Sequence, residues 1–215
     1  MPWIVVAGLV FAAWGAACER IASAWPADEA RHRAPGVRTV LLALAAGASA
    51  AGLVAVSGLP AWATLVHLAL LVPLVLLTAT DLEQRRLPHL ALDPLILGAI
   101  AFVPFNPGLA PLDALIGAVA AVAFLGVLGL IIRGGVAMGD LYLIAPLGLL
   151  LGWPAIFSAI FIAALLAGLT SIVLLVSRRV GMKSYIPFGP FLVAGAVLAL
   201  LRDPHLLNQA VALLP

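Results

Sequence analysis

Long apolar runs alternate with short polar breaks along the whole chain. Bounded by charges, prolines or glycines, the runs predict eight membrane segments at residues 3–18, 38–57, 60–80, 91–105, 111–132, 140–153, 154–177 and 187–202. Several approach the roughly 20 residues that a membrane-crossing helix needs. The fourth and sixth are short and contain Pro94 and Pro146, so we expect helices 4 and 6 to be short or broken. The pattern predicts an all-α polytopic membrane protein.

The composition supports this class and limits the domain organisation. Hydrophobic residues make up 65% of the chain and charged residues only 9%, which is unlike a soluble globular protein. Because 215 residues with no long polar block leave no room for a separate soluble domain, we expect one membrane-embedded domain over residues 1–215. The first run begins at Trp3 with no basic residue before it, so we expect it to stay as a membrane helix. The single cysteine, Cys18, excludes an internal disulfide and a multi-cysteine zinc site.

Lysine and arginine fall in alternate loops, and this predicts the orientation. Ten of the eleven lie after odd-numbered segments: Arg20, Arg31, Arg33, Arg38, Arg85, Arg86, Arg133, Arg178, Arg179 and Lys183. The alternate loops contain none, and only Arg202 falls on the opposite side. Since basic residues concentrate in cytoplasmic loops, both termini are expected outside the cytoplasm. The predicted location is the inner, cytoplasmic membrane.

Two aspartates share one depth in this topology. The third segment runs inward and ends at TATDLEQRR, which places Asp81 at the cytoplasmic edge. The sixth runs outward and begins at Asp140. The eighth segment also begins on this side, so the YIPFGPF stretch at 185–191 belongs to the same layer. The topology thus predicts that two carboxyl groups meet at the cytoplasmic face.

Paired carboxyl groups suit aspartic protease chemistry. Two held close together share one proton and titrate as a unit. The ionised group can take a proton from water while the protonated group polarises the scissile carbonyl, and no metal is needed. Glycines at 134, 135 and 139 fit, because residues without a Cβ let backbone come close to the acid.

Each aspartate alone also has a structural interpretation. An aspartate at a helix start caps the helix and complements its dipole, which would explain Asp140. Asp81 lies near Glu83, Arg85 and Arg86 and fits a solvated cluster at the membrane edge. Taken singly, the structural interpretation is favoured for both.

Three blocks of sequence resemble the type IV prepilin peptidases, intramembrane aspartic proteases with a GxGD motif. DLEQRRLPHLALDPLILG, starting at Asp81, resembles the first-aspartate block with its Leu-Pro pair. AMGDLYLIAPLGLLLGW, starting at Ala137, resembles the second, and YIPFGPFLVAGA at 185–196 resembles the closing block. The blocks lie within residues 75–200, and their order agrees with the topology predicted from charge.

The resemblance implies the activity and assigns the residues. Asp81 and Asp140 would be the catalytic pair, and the reaction would be cleavage of a prepilin or pseudopilin precursor at its leader boundary, on the cytoplasmic face. The supporting residues of the active site would be Gly139, Ala137, Pro88, Pro187, Phe188, Gly189 and Pro190. The expected partners are the precursor and the lipid bilayer. No cofactor, metal or nucleic acid is predicted, and the oligomeric state stays open.

Three departures from the family pattern stand out. Ala137 replaces the first glycine of GxGD, and Tyr142 stands where members often have lysine. Many bacterial members carry a cytoplasmic insert with Cys-x-x-Cys pairs that bind zinc, and they also N-methylate the new terminus. Here the region from Glu19 to about Val37 has no such pairs, which excludes zinc binding by that route and argues against methylation.

Two other hypotheses remain. Membrane carboxylates often mark ion or proton pathways, so a small transporter or channel is the first. It would place the acids near the middle of the bilayer and produce an inverted repeat, whereas both aspartates sit at segment ends and no repeat is evident. The second is an inactive scaffold with the same fold, which only Ala137 and Tyr142 favour.

Overall fold

The computed structural model describes residues 2–25, 34–56, 58–132, 136–178 and 186–202. Within these ranges the chain forms eight α-helices and one short 3₁₀ turn. The helices are α1 Pro2–Ala22, α2 Val37–Val56, α3 Ala61–Gln84, α4 His89–Phe102, α5 Pro111–Ile131, α6 Met138–Leu151, α7 Ala155–Val176 and α8 Gly189–Arg202, and the 3₁₀ turn Val103–Phe105 follows α4. Several residues of the sequence predictions lie outside the described ranges: Arg31, Arg33, Arg133, Gly134, Gly135, Arg179, Lys183 and Tyr185.

The prediction of an all-α polytopic membrane protein is confirmed. In the described part of the chain, α1, α2, α3, α5 and α7 are each 20 to 24 residues long and apolar enough to cross a membrane. The helix bounds differ from the predicted segments at their polar ends. The largest differences are extensions of four residues in two helices. Helix α3 continues past its predicted end at residue 80 to Gln84, and α1 continues past residue 18 to Ala22 and so includes Glu19 and Arg20. Both charged side chains form polar contacts there, which removes the need to end the helix before them.

Helices α4 and α6 are short, as predicted, and α8 has the same length. Each contains 14 residues. Neither α4 nor α6 is interrupted at its proline: Pro94 and Pro146 both lie inside continuous helices. A proline removes one backbone N–H and crowds the carbonyl four residues earlier, and here surrounding helices hold both segments helical. Pro146 itself is fully buried.

Four helices form the centre of the fold. Helix α3 packs against α4 and α8, and α6 packs against the same two helices. Consecutive helices pair around this centre, with α1 against α2, α5 against α6 and α7 against α8. The outer faces of α5 and α7 expose large apolar side chains such as Leu130, Val119 and Val176, which suits contact with lipid chains. The central helices therefore carry the groups that are protected from lipid.

Small residues let α1 and α2 approach each other closely. A Cβ added at Gly15 would lie 2.7 Å from the Leu42 carbonyl oxygen, and one at Gly47 would lie 2.7 Å from the Gly8 carbonyl oxygen. Such close backbone contact is typical of helix association in membranes. The α1–α2 pair is thus a tightly packed unit beside α3.

Replacing Gly195 with valine should destabilise the α7–α8 pair. A Cβ at Gly195 would clash with the Ala159 carbonyl oxygen and lie 3.0 Å from the Ala163 backbone nitrogen, so the helices must separate. We expect a loss of about 1–3 kcal/mol, the usual cost of overpacking, measured as a lower midpoint of thermal unfolding in detergent. Gly168→Ala on the same helix pair is the control, because nothing lies within 4 Å of its added Cβ. Equal midpoints for the two variants would contradict the close packing.

Candidate functional site

Asp81 lies in the last turn of α3, where the helix is about to end. Arg85 ends the helix by adopting a left-handed conformation with φ 55°, and its backbone N–H donates to the Asp81 carbonyl oxygen at 2.9 Å. The side chain of Asp81 stays buried at this helix end, since only 6% of the residue is exposed. The structural interpretation of Asp81 as part of a solvated cluster is therefore wrong for its side chain, while Arg85 and Arg86 beside it are exposed.

Asp140 lies in the first turn of α6 and is 5% exposed. Its carboxylate Oδ2 accepts a hydrogen bond from the backbone N–H of Ala137 at 3.2 Å, and its own N–H donates to the Ala137 carbonyl oxygen at 3.0 Å. This is the arrangement by which an acid in the first turn satisfies a free N–H at a helix start. Ala137 has φ −80° and ψ 151°, an extended conformation open to any residue, so the backbone at this position does not require the glycine of GxGD.

The fold brings the two aspartates together from different helices. Their side chains are close enough for the two charges to interact. Helix α8 is the third helix at the site, because its first residue, Gly189, lies directly against Asp81. A Cβ added at Gly189 would lie 2.6 Å from Asp81 Oδ2 and 3.5 Å from Leu143 Cδ2. Leu143 follows Asp140 by one turn of α6, so one glycine contacts the side chains of both acid-bearing helices.

The link between α3 and α4 closes the site on another side. Leu87 packs over Gly139, where an added Cβ would lie 3.0 Å from Leu87 Cδ1. Pro88 follows in an extended conformation, φ −67° and ψ 131°, and precedes the first residue of α4. A residue before proline is biased away from the helical region, so the Leu-Pro pair separates α3 from α4 just after the aspartate. The same contact region includes His89 and Tyr142, whose rings meet edge to face with centroids 5.7 Å apart.

The remaining predicted support residues start α8. The carbonyl oxygen of Phe188 accepts hydrogen bonds from the backbone N–H groups of Phe191 and Leu192, at 3.0 and 3.1 Å. Pro190 occupies the first turn, where its missing N–H costs nothing. Pro187 and Phe188 are partly buried, and Phe188 packs against the core. The Pro-Phe-Gly-Pro stretch thus begins a helix at the point where its glycine touches Asp81.

One oxygen of this site has no hydrogen-bond partner. Asp81 Oδ2 is buried and unpaired in the described structure. A buried acceptor without a donor is costly, so this atom is suited to a donor that comes and goes, such as a water or the proton that two close carboxyl groups share. Among the described residues, no three His, Cys, Asp or Glu side chains form a group that could hold a metal ion.

Sequence reasoning missed three residues that shape this region. Leu87 and Leu143 contact the glycines of the site, and Gln84, the last residue of α3, hydrogen-bonds to α1. Leu143 looks like any other apolar residue in the sequence, whereas Leu87 carried a signal as the leucine of the Leu-Pro pair. Gln84 did carry one, because a glutamine three residues after Asp81 lies on nearly the same helix face.

Comparison with known proteins finds a matching family and several relatives. Residues 68–172, which include both aspartates, match the type IV leader peptidase family. The chain is 36% identical over 177 residues to a prepilin leader peptidase/N-methyltransferase of Burkholderia pseudomallei (strain 1026b), covering 79% of this chain and 57% of that protein. A protein of the same description from Aeromonas salmonicida (strain A449) is 36% identical over 154 residues, which is 69% of this chain and 53% of its own length. One from Bacillus subtilis (strain 168) is 30% identical over 142 residues, 63% of this chain and 54% of its own length.

These matches cover only part of each relative. The chain spans a little over half the length of these curated relatives. No solved structure matches the chain significantly.

Two substitutions at Asp140 should separate its role at the helix start from its charge. Both Asp140→Asn and Asp140→Ala remove the charge, but only asparagine keeps an oxygen for the Ala137 N–H. We expect the alanine variant to be less stable by about 1 kcal/mol, the usual value of such a cap, in thermal unfolding measured in detergent. A lack of difference at Asp140 would contradict the hydrogen bond.

Proposed function

The chain belongs to the type IV leader peptidase family, and on that premise we propose that it is an intramembrane aspartic endopeptidase. Its proposed substrates are prepilins or pilin-like precursors, from which it removes the leader peptide at the cytoplasmic face of the inner membrane. The proposed catalytic residues are Asp81 and Asp140. One membrane-embedded domain, residues 1–215, would carry the activity.

The observation that carries this proposal is the meeting of two buried aspartates from separate helices. Buried carboxylates are rare unless they are paired or functional. Asp81 lies in the last turn of α3, against Gly189 of α8. Asp140 lies in the first turn of α6 and directly follows Gly139. The absence of a side chain at Gly189 is what lets the start of α8 approach the Asp81 carboxyl group this closely.

The proposed reaction needs one proton shared between the two carboxyl groups. The ionised aspartate takes a proton from a water, whose oxygen attacks the scissile carbonyl carbon, while the protonated aspartate gives its proton to the carbonyl oxygen. The roles then reverse: the tetrahedral intermediate returns its hydroxyl proton to one carboxylate, and the other aspartic acid protonates the departing amine. The unpaired Oδ2 of Asp81 supports this cycle, since it can hold the proton or accept a bond from the water.

The cytoplasmic orientation rests on the charged residues near the acids. Arg38, Arg85 and Arg86 are exposed at the same end of the fold as Asp81. Since arginine and lysine concentrate on the cytoplasmic side of a membrane protein, we place this end in the cytoplasm. Both termini then lie on the opposite side.

The two alternative functions lose support from the site geometry. A transporter would be expected to hold its acids near the middle of long helices, whereas Asp81 lies in the last turn of α3 and Asp140 in the first turn of α6. The inactive scaffold relied on Ala137 and Tyr142. The ordinary backbone conformation of Ala137 makes its alanine compatible with the site.

Replacing either acid with asparagine should abolish cleavage. Asp81→Asn and Asp140→Asn each leave one carboxyl group, which cannot act as acid and base together, so we expect at least a 1,000-fold loss in the cleavage rate. The measurement is cleavage of a tagged prepilin in proteoliposomes, with the mass of the new N-terminus read by mass spectrometry. An unmethylated product is expected, and full activity in either variant would refute the aspartic mechanism.

Two glycine variants should differ in activity. In Gly189→Ala the added methyl would lie 2.6 Å from Asp81 Oδ2, so the carboxylate must move; in Gly139→Ala the methyl meets only the end of the Leu87 side chain at 3.0 Å. We expect a loss of about 100-fold for the first, because small displacements of a catalytic group are costly, and less than 10-fold for the second. Equal rates in the same cleavage assay would show that Gly189 does not set the position of Asp81.

A further inference from the structure

Polar side chains join the first three helices at the level of Asp81. The hydroxyl of Thr39 in α2 donates to Glu19 Oε2 in α1 at 2.9 Å. Glu19 is only 6% exposed, although its side chain carries a carboxyl group. Arg38, also in α2, contacts Glu83 Oε2 in α3 at 3.1 Å. Thus α2 is tied to both of its neighbours by adjacent residues.

The third connection runs directly between α1 and α3. The side-chain amide of Gln84 donates to the carbonyl oxygen of Ala22. Ala22 is the last residue of α1, so its carbonyl has no N–H partner within the helix. Gln84 thereby satisfies a free helix-end acceptor, and it does so from the last residue of the helix that carries Asp81.

These three connections form a closed set in which each pair of helices has its own polar bridge. We call it the three-helix clamp: Glu19 with Thr39, Arg38 with Glu83, and Gln84 with Ala22. One other described hydrogen bond joins α1 and α3: Trp14 Nε1–H donates to the Val72 carbonyl oxygen at 3.0 Å, nine residues before Asp81. Directional hydrogen bonds resist sliding and rotation better than apolar contacts do, most of all where they are shielded from water. Of the clamp contacts, Glu19–Thr39 and Gln84–Ala22 are partly buried, and Arg38–Glu83 is exposed. The clamp therefore fixes the depth and rotation of the α3 end.

We propose that Gln84 is a positioning residue for Asp81, acting through its bond to Ala22. This inference rests on the proposed peptidase function. Asp81 is one turn before Gln84 on the same helix, and its Oδ2 must stay against Gly189 of α8. That oxygen has no described hydrogen-bond partner, although the backbone N–H of Gly189 interacts with the same carboxyl group. Both contacts with α8 require the α3 backbone to be correctly placed. Gln84 anchors that backbone to the end of α1.

The side chain of Gln84 has a second informative feature. Its Oε1 is buried without a hydrogen-bond partner, a cost that a purely apolar side chain would avoid. The N–H group of the Gln84 amide explains why an amide stands here, because only an N–H or O–H can donate to the Ala22 carbonyl oxygen. This gives a test in which the donor is removed and the size is kept.

Gln84→Met removes the donor with little change in length. We expect kcat for prepilin cleavage to fall at least 10-fold while KM stays within twofold, because the substrate still binds and only the acid is displaced. The matched control is Thr78→Val. Thr78 lies three residues before Asp81 in α3, just as Gln84 lies three residues after it. This substitution deletes a 2.8 Å bond to the Leu74 carbonyl oxygen that stays within α3. A loss of kcat in Thr78→Val equal to that in Gln84→Met, or no loss in Gln84→Met, would overturn the proposal.

Gln84→Glu tests the donor within a single protein. A neutral glutamic acid has an O–H that can donate to the Ala22 carbonyl oxygen, whereas the ionised form has none and repels it. We expect the ratio of variant to wild-type kcat to rise at least fivefold from pH 8 to pH 5. A ratio that does not change with pH would overturn the role of the donor.

Hydrogen–deuterium exchange gives a readout that does not need catalysis. In Gln84→Met we expect faster exchange of backbone amides at residues 82–86, which include the Arg85 N–H bonded to Asp81, with no change in Thr78→Val. Unchanged exchange would overturn the clamp. If the wild type cleaves no precursor, the proposed peptidase function fails, while the exchange result still decides whether Gln84 holds the end of α3.

Discussion

The burial of one carboxylate oxygen is the constraint that the helices around the site must satisfy. Asp81 Oδ2 lies against the first residue of α8 and has no described hydrogen-bond partner. Because an unpaired buried acceptor contributes nothing to its own placement, the surrounding helices must provide it. The Leu-Pro link shapes one side, the start of α6 supplies Asp140, and α8 brings a glycine that leaves space for the acid. The interior of the fold is therefore arranged around an atom that is costly to bury.

The sequence was sufficient for the architecture and for the two acids. Apolar runs gave eight helices, because a membrane requires each spanning segment to satisfy its own backbone. Charge placement then brought Asp81 and Asp140 to one end before any contact was known. Helix ends were less predictable: α1 continues through Glu19 and Arg20 because Glu19 has a bonding partner in α2. That partner is 20 residues away, and no local pattern reveals it.

The contacts of the site could not be predicted from periodicity. Gly189 matters because α8 begins directly against Asp81 of α3, and Gly139 because Leu87 packs over it. Both depend on packing between segments far apart in sequence. Ala137 illustrates the opposite case, in which a departure from the family pattern looked significant. The backbone there is extended, so the change from glycine has little conformational cost.

The length of the three short helices has a consequence for water. Helices α4, α6 and α8 all begin around the acids and contain 14 residues each, which is about 21 Å at 1.5 Å per residue. The hydrocarbon layer is about 30 Å thick, so these helices either leave the acids below the surface or draw the headgroups inward. A locally thinned bilayer has a modest energetic cost per ångström of mismatch. It would bring the aqueous boundary to the aspartates, so that the water required by the proposed hydrolysis could reach them without a permanent channel through the protein.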